Sequence, residues 1–346
     1  MKQVEVGVAI TGSGSAAPLS VMTNDDLAQL VDTNDEWIRT RTGIRERRLA
    51  SATTSLTDLA SQAGQQALQH SGLRAQDVDL IILATSTADD LFGSASVVQT
   101  ALGATNAVAF DLTAACSGFL FGLVTATQFI RTGAYRNVLL IGADVLSRWV
   151  DWSDRRTCIL FGDAAGAMVL QAQSGSDDVL GYEIRSNGSQ NNCLNLAYQA
   201  QAKNLKRYGP EGNAQDVEIG QGQYQPITMN GQEVYRFAVK RVPEVIEKAL
   251  FRANLTADQI QWLLLHQANQ RILDAVAQRL GVPQAKVLSN LAQYGNTSAA
   301  SIPLAFDEAL KAGKIQPGDI IASSGFGAGL TWGAAIFRWH GPLHQA

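Results

Sequence analysis

Cys116 is the residue of this sequence with the clearest chemical potential. It stands in the run Ala114-Ala115-Cys116-Ser117-Gly118, at the start of a helical pattern that extends to Arg131. A cysteine among small apolar residues is usually buried and inert. At the start of a helix, however, free backbone N–H groups and the helix dipole favour a thiolate, the form that attacks thioesters. We therefore predict that Cys116 is a nucleophile.

Two further residues have catalytic potential. His266 directly follows the apolar run Leu263-Leu264-Leu265, and Asn296 lies in Tyr294-Gly295-Asn296-Thr297-Ser298. Taken singly, a histidine after a strand is about as often structural as catalytic, and such an asparagine is most often a cap or turn residue. The segment Gln267-Ala268-Asn269 after the histidine and the separate motif around Asn296 favour the catalytic interpretation.

The glycine-rich stretch Ser324-Gly325-Phe326-Gly327-Ala328-Gly329 has two interpretations. Glycine-rich loops after strands are common and bind phosphate only in particular contexts, and this one lacks the lysine of a P-loop. Such a turn can equally bring a backbone N–H group to a reacting carbonyl and serve as an oxyanion hole. The residues alone leave both interpretations open.

Alternating strands and helices must position these residues. Short apolar runs typical of buried strands alternate with segments of helical period such as 56–69 and 119–131. This pattern predicts βαβ units, hence an α/β fold, in which active sites usually lie at the strand ends. The predicted strands are Val6 to Ile10, Leu80 to Ala84, Val138 to Gly142, Trp262 to Leu265 and Ile320 to Ala322.

The chain also repeats itself at about half its length. Residues 73–75 lead to an apolar run that ends at Leu83, and the similar residues 255–257 lead to one that ends at Leu265. Both offsets are 182 residues (255 − 73 and 265 − 83). A repeat of this length indicates a duplicated structural unit.

A second repeat involves the chemically interesting residues. The distance from Cys116 to the glycine that ends its helix is 17 residues (133 − 116), and so is the distance from Asn296 to the glycine that ends the later helix (313 − 296). We therefore predict two α/β halves, residues 1–174 with the cysteine and residues 175–346 with His266 and Asn296. Cys116 and Asn296 are expected at equivalent positions.

Composition excludes several classes of protein. The formal net charge of −4 and pI near 5.6 provide no basic surface, so no nucleic-acid partner is expected. No apolar run approaches the ~18 residues that span a bilayer, and no leader pattern is present, so we expect a cytoplasmic enzyme without a membrane partner. The three cysteines, Cys116, Cys158 and Cys193, lack CxxC spacing, so neither a disulfide framework nor a zinc site is supported.

Several motifs, in the same order, resemble the beta-ketoacyl-acyl-carrier-protein synthase III family, whose members initiate type II fatty acid synthesis. The resemblance covers the chain to about Trp339. The motifs that carry it are Asp35 to Ile44 (DEWIRTRTGI), Ala114 to Gly118 (AACSG), Phe161 to Gly166 (FGDAAG), His266 to Asn269 (HQAN), Gly295 to Ala299 (GNTSA) and Phe326 to Gly333 (FGAGLTWG).

The resemblance implies a thiolase fold, in which duplicated α/β halves form α-β-α-β-α layers, and a homodimer. It implies Cys116, His266 and Asn296 as the catalytic triad, with the backbone N–H groups of Cys116 and Ala328 as the oxyanion hole. The implied reaction moves an acyl group from coenzyme A to Cys116 and condenses it with malonyl acyl carrier protein, releasing carbon dioxide. His266 and Asn296 would stabilise the enolate. No metal is implied, and no cofactor beyond the coenzyme A thioester, which is a substrate.

The resemblance also assigns residues to substrates and partners. The chain departs from the family pattern in three places. Ala328 replaces a common glycine, Tyr235 replaces a common phenylalanine, and the segment 191–225 has no assured alignment. The implied assignments are Trp37, Arg41 and Arg155 for the adenine and phosphates of coenzyme A; Gly231, Ala268 and Asn269 for the pantetheine tunnel; Arg236, Arg271 and Arg279 for carrier-protein docking; and Phe92 for the acyl pocket of the neighbouring subunit, where its ring predicts a short primer such as acetyl.

Other proteins could use the same residues. A papain-like hydrolase orders Cys, His and Asn in this way, but the chain lacks its Cys-Gly-Ser/Ala-Cys-Trp/Tyr signature. Degradative thiolases need a late cysteine, and none follows Cys193. Plant-type polyketide synthases share the triad, so the separation from them rests on the 37–44 and 326–333 motifs rather than on the triad itself. An inactive partner protein is disfavoured because all three catalytic positions are filled.

Overall fold

Two five-stranded sheets form the framework of residues 6–208, 210 and 214–343, the part of the chain that the computed structural model describes. The strands are β1 (Val6–Ala16), β2 (Val21–Thr23), β3 (Glu46–Arg48), β4 (Leu80–Ala84), β5 (Val108–Leu112), β6 (Asn137–Val145), β7 (Asp163–Ser174), β8 (Val179–Ser186), β9 (Leu194–Asn195), β10 (Tyr198–Tyr208), β11 (Ala214–Tyr224), β12 (Thr228–Met229), β13 (Trp262–Leu265), β14 (Val287–Leu288), β15 (Ile320–Gly327) and β16 (Thr331–Arg338). The helices are α1 (Asn24–Leu27), α2 (Asp35–Thr42), α3 (Leu56–Ser71), α4 (Ala95–Leu102), α5 (Gly118–Arg131), α6 (Gly231–Arg252), α7 (Gln270–Leu280), α8 (Leu291–Tyr294) and α9 (Ser301–Lys311).

The two sheets have the same topology. The first has the order β1-β7-β6-β4-β5, with β4 parallel to β5 and β6 and with β7 antiparallel to β1 and β6. The second has the order β8-β16-β15-β13-β14, with β13 parallel to β14 and β15 and with β16 antiparallel to β8 and β15. In chain order, the five strands of each sheet take corresponding places. The predicted α/β fold with duplicated halves is confirmed.

Helices separate and flank the sheets in five layers. The inner layer is α5 and α9, whose side chains form one hydrophobic cluster with strands of both sheets. The outer layers are α3 with α4 on the first sheet and α6 with α7 on the second. Phe119 and Phe306 in the inner layer are 1% and 0% exposed, and burial of such a side chain contributes about 1.5–3 kcal/mol. The predicted boundary between the two halves, at residues 174 and 175, falls between β7 and β8. The two halves nevertheless share the inner hydrophobic cluster, which contains residues of both sheets.

The predicted equivalence of Cys116 and Asn296 is wrong. The 3-10 turns before α5 and α9 span Ala115–Ser117 and Ser298–Ala300, an offset of 183 (298 − 115), whereas the glycines after the helices differ by 180 (313 − 133). The two offsets differ because helix α5 has 14 residues and α9 has 11. Neither helix begins with a side-chain cap, so the sequence contained no signal that marked the two starts. The counterpart of Cys116 is Ala299, and Asn296 precedes the second turn.

A long hairpin occupies most of segment 191–225, which the sequence comparison left unaligned. Strands β10 and β11 pair antiparallel from Tyr198 opposite Tyr224 to Tyr208 opposite Ala214, and all their residues are exposed. The ring of Tyr224 packs against Trp149, with centroids 6.2 Å apart, and anchors the base of the hairpin. Its strands are rich in glutamine and glycine, and apolar and polar residues alternate only in short stretches such as 198–203 and 216–219, so the usual strand signal is weak.

The described ranges contain no helix that is long and apolar enough to cross a membrane. In the same ranges, no group of three or more His, Cys, Asp or Glu side chains is arranged to hold a metal ion.

Candidate active site

Cys116 lies in the 3-10 turn that leads into α5, and its side chain is 7% exposed. The preceding residue, Ala115, has a φ of 48°, in the left-handed region that an L-residue other than glycine rarely adopts. The turn is tied to β16, because the Thr331 hydroxyl donates to the Ala114 carbonyl at 2.9 Å and lies 2.7 Å from the Ser117 hydroxyl. Local strain and these hydrogen bonds together hold the cysteine in one place.

Strand β15 passes directly against this turn. A Cβ atom on Gly327 would lie 2.6 Å from the backbone nitrogen of Cys116, and one on Gly325 would lie 3.3 Å from its carbonyl oxygen. A larger residue at 327 would therefore displace the backbone of the turn. The glycine-rich stretch thus allows the close approach of two backbones beside the thiol, and Ala328 follows at the wall of the cleft that Cys116 lines.

His266 follows β13 and is almost fully buried, at 2% exposure. Its backbone N–H donates to the Ser324 carbonyl at 2.8 Å, which fixes it to the same strand β15 that contacts Cys116. Its Nδ1 atom lies 2.7 Å from the Ser301 hydroxyl, and its ring packs edge-on against Phe326 at 5.5 Å between centroids. Burial lowers the pKa of His266 to about 3, so the imidazole is neutral at physiological pH.

Asn296 is held by its backbone on both sides. Its N–H donates to the Leu160 carbonyl at 2.8 Å, and its carbonyl accepts from the Gly162 N–H at 3.0 Å. Its side-chain Oδ1 accepts from the Ser298 N–H at 2.9 Å, which orients the amide group. The Nδ2 group makes no hydrogen bond within the described residues and is not sealed from solvent, so it is free to donate to a ligand.

The thiol of Cys116 is protonated in the free chain. Burial raises its pKa to about 12, the nearby Asp144 carboxylate raises it further, and a hydrogen bond with the Ser298 hydroxyl lowers it. The thiolate expected from the helix start is therefore not favoured before substrate binds, because desolvation outweighs the helix dipole and the hydrogen bond. Loss of the proton has to accompany attack on the substrate.

This pKa predicts the pH dependence of thiol reactivity. The rate at which iodoacetamide alkylates Cys116 is expected to rise about tenfold per pH unit between about pH 7 and 9, because only the small thiolate fraction reacts. Peptide mass spectrometry would follow Cys116 separately from Cys158 and Cys193, which are also buried. A rate that reaches a plateau below about pH 9 would contradict the raised pKa.

A cleft of about 1190 Å³ opens onto Cys116. Ala328 and Ser298 line it beside the cysteine, the loop 85–93 forms part of its wall, and residues 194–197 at the base of the hairpin also line it. His266 and Asn296 do not line this cleft, but Asn296 is linked to it through its hydrogen bond with Ser298. The structure therefore brings Cys116 and Ala328 together at one surface, with the other two residues in the packed region next to it.

The residues assigned to coenzyme A form a second group. The guanidinium carbons of Arg41 and Arg155 lie 4.5 Å and 5.5 Å from the centroid of the Trp37 ring, in cation–π geometry. Arg155 also donates to the Asp32 carbonyl at 2.8 Å, and Asn269 donates through Nδ2 to the Arg41 carbonyl at 3.0 Å. Four of the six assigned residues are thus neighbours, although they are distant in the sequence.

The remaining assigned residues lie on or before helices α6 and α7, which pack against each other. Gly231 is the first residue of α6, and Ala268 precedes α7 and packs partly against the cluster beneath both helices. All three assigned arginines are exposed. The guanidinium carbon of Arg271 lies 5.8 Å from the Tyr235 ring, and Arg279 donates to the Lys240 carbonyl at 3.3 Å; Arg236 stands on α6 itself.

Phe92 lies between β4 and α4 and is 99% exposed. Leu91 beside it is 82% exposed, and both residues lie at the rim of the cleft of their own chain. Two large apolar side chains in contact with water are an unfavourable arrangement for a single chain. Their contact with a neighbouring subunit stays a prediction.

Sequence reasoning missed Asp144, a fully buried carboxylate at the end of β6. One of its oxygens accepts from the Ser86 N–H and the Thr87 hydroxyl, both at 2.9 Å, and the other accepts from the Ala299 N–H at 3.1 Å. It therefore joins the strand ends of the first half to the turn before α9. Burial raises its pKa. The available signal was an acidic residue two positions after the predicted strand Val138 to Gly142.

Comparison with known proteins adds an independent finding. Family models described as 3-oxoacyl-[acyl-carrier-protein (ACP)] synthase III and its C terminal part match residues 110–188 and 250–339. The beta-ketoacyl-[acyl-carrier-protein] synthase III of Nostoc sp. (strain PCC 7120) is 68% identical over 334 residues, covering 96% of this chain and 98% of that protein. This chain belongs to the beta-ketoacyl-acyl-carrier-protein synthase III family.

Solved structures agree with membership of this synthase III family. The 3-oxoacyl-[acyl-carrier-protein] synthase III of Aquifex aeolicus VF5 is similar with a TM-score of 0.84 and 42% identity, covering 96% of this chain and 100% of that chain. The priming beta-ketosynthase of the R1128 polyketide pathway has a TM-score of 0.87 and 31% identity, covering 99% of each chain. The chain is thus a condensing acyltransferase of the thiolase fold that serves the initiation of fatty acid synthesis.

Proposed function

We propose that the chain condenses a short acyl-coenzyme A primer, acetyl-coenzyme A in the first place, with malonyl acyl carrier protein. The products are a 3-oxoacyl carrier protein, coenzyme A and carbon dioxide. The observation that carries the proposal is the strained, hydrogen-bonded turn that holds Cys116 at the surface of a cleft in a chain of this family. The proposed enzyme is a cytoplasmic homodimer that uses no metal and no cofactor beyond the coenzyme A thioester, and it binds neither nucleic acid nor membrane.

In the first half-reaction, the sulfur of Cys116 attacks the primer thioester. The carbonyl oxygen becomes an oxyanion, which the backbone N–H groups of Cys116 and Ala328 stabilise. The close approach of β15 to Cys116 at Gly327 supports this pair, because it brings the segment that carries Ala328 next to the nucleophile. Coenzyme A leaves as the thiol and carries away the proton that Cys116 has lost.

In the second half-reaction, His266 and Asn296 donate hydrogen bonds to the thioester carbonyl of the malonyl group. Two properties support these roles. The buried imidazole of His266 is neutral, and the Nδ2 group of Asn296 has no competing partner in the described chain. Carbon dioxide leaves, and the two donors stabilise the resulting enolate. Its carbon attacks the acyl-cysteine, the bond to the Cys116 sulfur breaks, and the released thiolate takes up a proton from solvent.

Trp37, Arg41 and Arg155 are proposed to clamp the adenine end of coenzyme A. Their cation–π contacts support this role, because a flat aromatic ring close to two guanidinium groups matches a nucleotide with a planar base and anionic phosphates. Asn269, which is hydrogen-bonded to Arg41, together with Gly231 and Ala268 would then contact the pantetheine arm.

The exposed apolar rim supports the proposed homodimer. Leu91 and Phe92 are 82% and 99% exposed, and Val108 on the edge strand β5 is 51% exposed. A second chain would cover these side chains and bring Phe92 to the acyl pocket of the partner. There its ring would exclude long primers by overlap, since packed interiors resist added volume.

The proposed reaction is tested by supplying the purified chain with malonyl acyl carrier protein and one primer at a time. Acetyl-coenzyme A is expected to give the 3-oxoacyl carrier protein, detected as a mass shift of the carrier, and octanoyl-coenzyme A is expected to give little. A role in polyketide priming has less support, because the R1128 ketosynthase is 31% identical while the fatty acid relative is 68% identical. Products from long primers at the acetyl rate would contradict the short-primer proposal.

The proposed docking face predicts a selective effect of charge reversal. Arg271→Glu and Arg279→Glu are expected to weaken the use of malonyl acyl carrier protein but to spare acylation by acetyl-coenzyme A, and Arg236→Glu should behave alike. The reason is that exposed charges act mainly on the association of an acidic partner, so the defect should shrink at high salt. Arg74→Glu, on an exposed residue paired with Asp77, is the control. Equal loss in both half-reactions, without salt dependence, would contradict docking at this face.

A further inference from the structure

The position of one proton on His266 decides what its ring can do to a thioester carbonyl. A neutral imidazole carries a single proton, on Nδ1 or on Nε2; the protonated nitrogen donates a hydrogen bond and the other accepts one. A group that stabilises an enolate oxygen has to donate. The neighbours of the ring therefore decide whether His266 can act in that way.

Ser301 is the side chain that contacts Nδ1. Its hydroxyl oxygen lies 2.7 Å from Nδ1, and the same oxygen accepts the backbone N–H of Gln267 at 3.3 Å. Ser301 and His266 are 1% and 2% exposed, so little water can compete for these bonds. Ser301 begins α9, whereas His266 follows β13, so this contact joins two elements of the second half.

The Gln267 N–H determines the direction of the hydrogen bond. If Nδ1 carried the proton, the Ser301 oxygen would accept two N–H groups, and its own proton would need another acceptor. Within the described residues Ser301 makes no such contact. A buried hydroxyl without an acceptor is unfavourable. If Ser301 instead donates to Nδ1, each polar hydrogen at this point has a partner.

We propose that Ser301 is a positioning residue that holds His266 in the Nε2–H tautomer, so that Nε2 donates to the thioester oxygen of the second substrate. The inference rests on the proposed role of His266. Nε2 makes no hydrogen bond within the described residues and is not sealed from solvent, so it is free to meet a substrate. In this tautomer neither ring nitrogen can take the proton of Cys116, because Nδ1 already accepts a bond and Nε2 is already protonated.

The test is the tautomer of His266 in protein labelled with ¹⁵N-histidine. The His266→Gln variant removes one of the four histidines and thereby assigns the signals. The unchanged protein is expected to show the Nε2–H form. Ser301→Ala should give a mixture of tautomers, and Ser301→Thr, which keeps the hydroxyl, should restore the Nε2–H form.

Kinetics provide the second readout. In Ser301→Ala, the rate at which the acylated enzyme decarboxylates malonyl carrier protein is expected to fall. An equal mixture of two tautomers would lower the rate about twofold, and complete loss of the Nε2 donor would lower it about a hundredfold, so the measured decrease should lie between these values. Acylation of Cys116 should not change. Ser323→Ala is the matched control, because Ser323 is fully buried on the neighbouring strand β15 and its hydroxyl has no partner among the described residues.

Two results would overturn the part assigned to Ser301. One is an Nδ1–H tautomer in the unchanged protein. The other is a Ser301→Ala variant, folded as judged by thermal unfolding, whose tautomer and decarboxylation rate both equal those of Ser323→Ala. Normal decarboxylation by His266→Ala would instead overturn the proposed function of His266, and the tautomer measurement would still decide whether Ser301 orients the ring.

Discussion

Replacement of Cys116 by alanine is expected to abolish the acyl-enzyme. After incubation with acetyl-coenzyme A, the intact mass of the native chain should increase by one acetyl group, and the mass of Cys116→Ala should stay the same. The thiol supplies the atom that forms the new bond, so no neighbouring group can replace it. Removal of a nucleophile of this kind lowers kcat on the order of 10⁶-fold.

The other cysteines provide matched controls. Cys158 and Cys193 are 0% and 4% exposed, and neither lines the cleft onto which Cys116 opens. Cys158→Ala and Cys193→Ala should therefore acylate at close to the native extent. An acetyl adduct on Cys116→Ala at the native rate would refute the assignment of the nucleophile, and loss of the adduct in either control would place the acylated thiol elsewhere.

His266→Ala and Asn296→Ala are expected to separate the two half-reactions. Decarboxylation of malonyl carrier protein should fall about 10²–10³-fold in each variant, because loss of one preorganised donor to a developing oxyanion has an effect of this size. Acylation of Cys116 should fall much less, since the backbone N–H groups proposed for that oxyanion remain. Release of labelled carbon dioxide measures the first quantity, and intact mass at early times measures the second.

His70→Ala is the control for this pair of variants. Its ring packs against Trp339, with centroids 5.7 Å apart, and it does not line the cleft. Both half-reactions should proceed normally in this variant. An equal loss of acylation and decarboxylation in His266→Ala would contradict this assignment and indicate that His266 accepts the proton of Cys116. We do not expect this result, because the low pKa of His266 makes it a weak base.

The strands and helix ends were predictable because local composition determines them. The apolar runs at 80–84 and 262–265 coincide with β4 and β13, since strands buried on both faces need continuous apolar residues. The ends of α5 and α9 were marked by glycines with φ of 76° and 70°. Their starts carried no comparable signal, so the equivalence drawn between Cys116 and Asn296 was wrong.

The hairpin and the buried polar groups could not be predicted in the same way. The strands of the hairpin, residues 198–208 and 214–224, pair with each other and have only exposed residues, so their pattern resembles that of a polar loop. Asp144 follows an ordinary apolar run. Its importance comes from Ala299, which is 155 positions away in the sequence.

The sequence by itself determined the family, the α/β fold with its repeat, and the residues whose types suit thioester chemistry. These depend on the order and identity of motifs, which are local properties of the chain. Only the tertiary structure decided that Cys116 is protonated, that His266 is neutral and meets Ser301, and that His266 and Asn296 do not line the cleft of a single chain. The physical reason is that pKa values and hydrogen-bond partners depend on burial by residues that the fold brings together from distant positions.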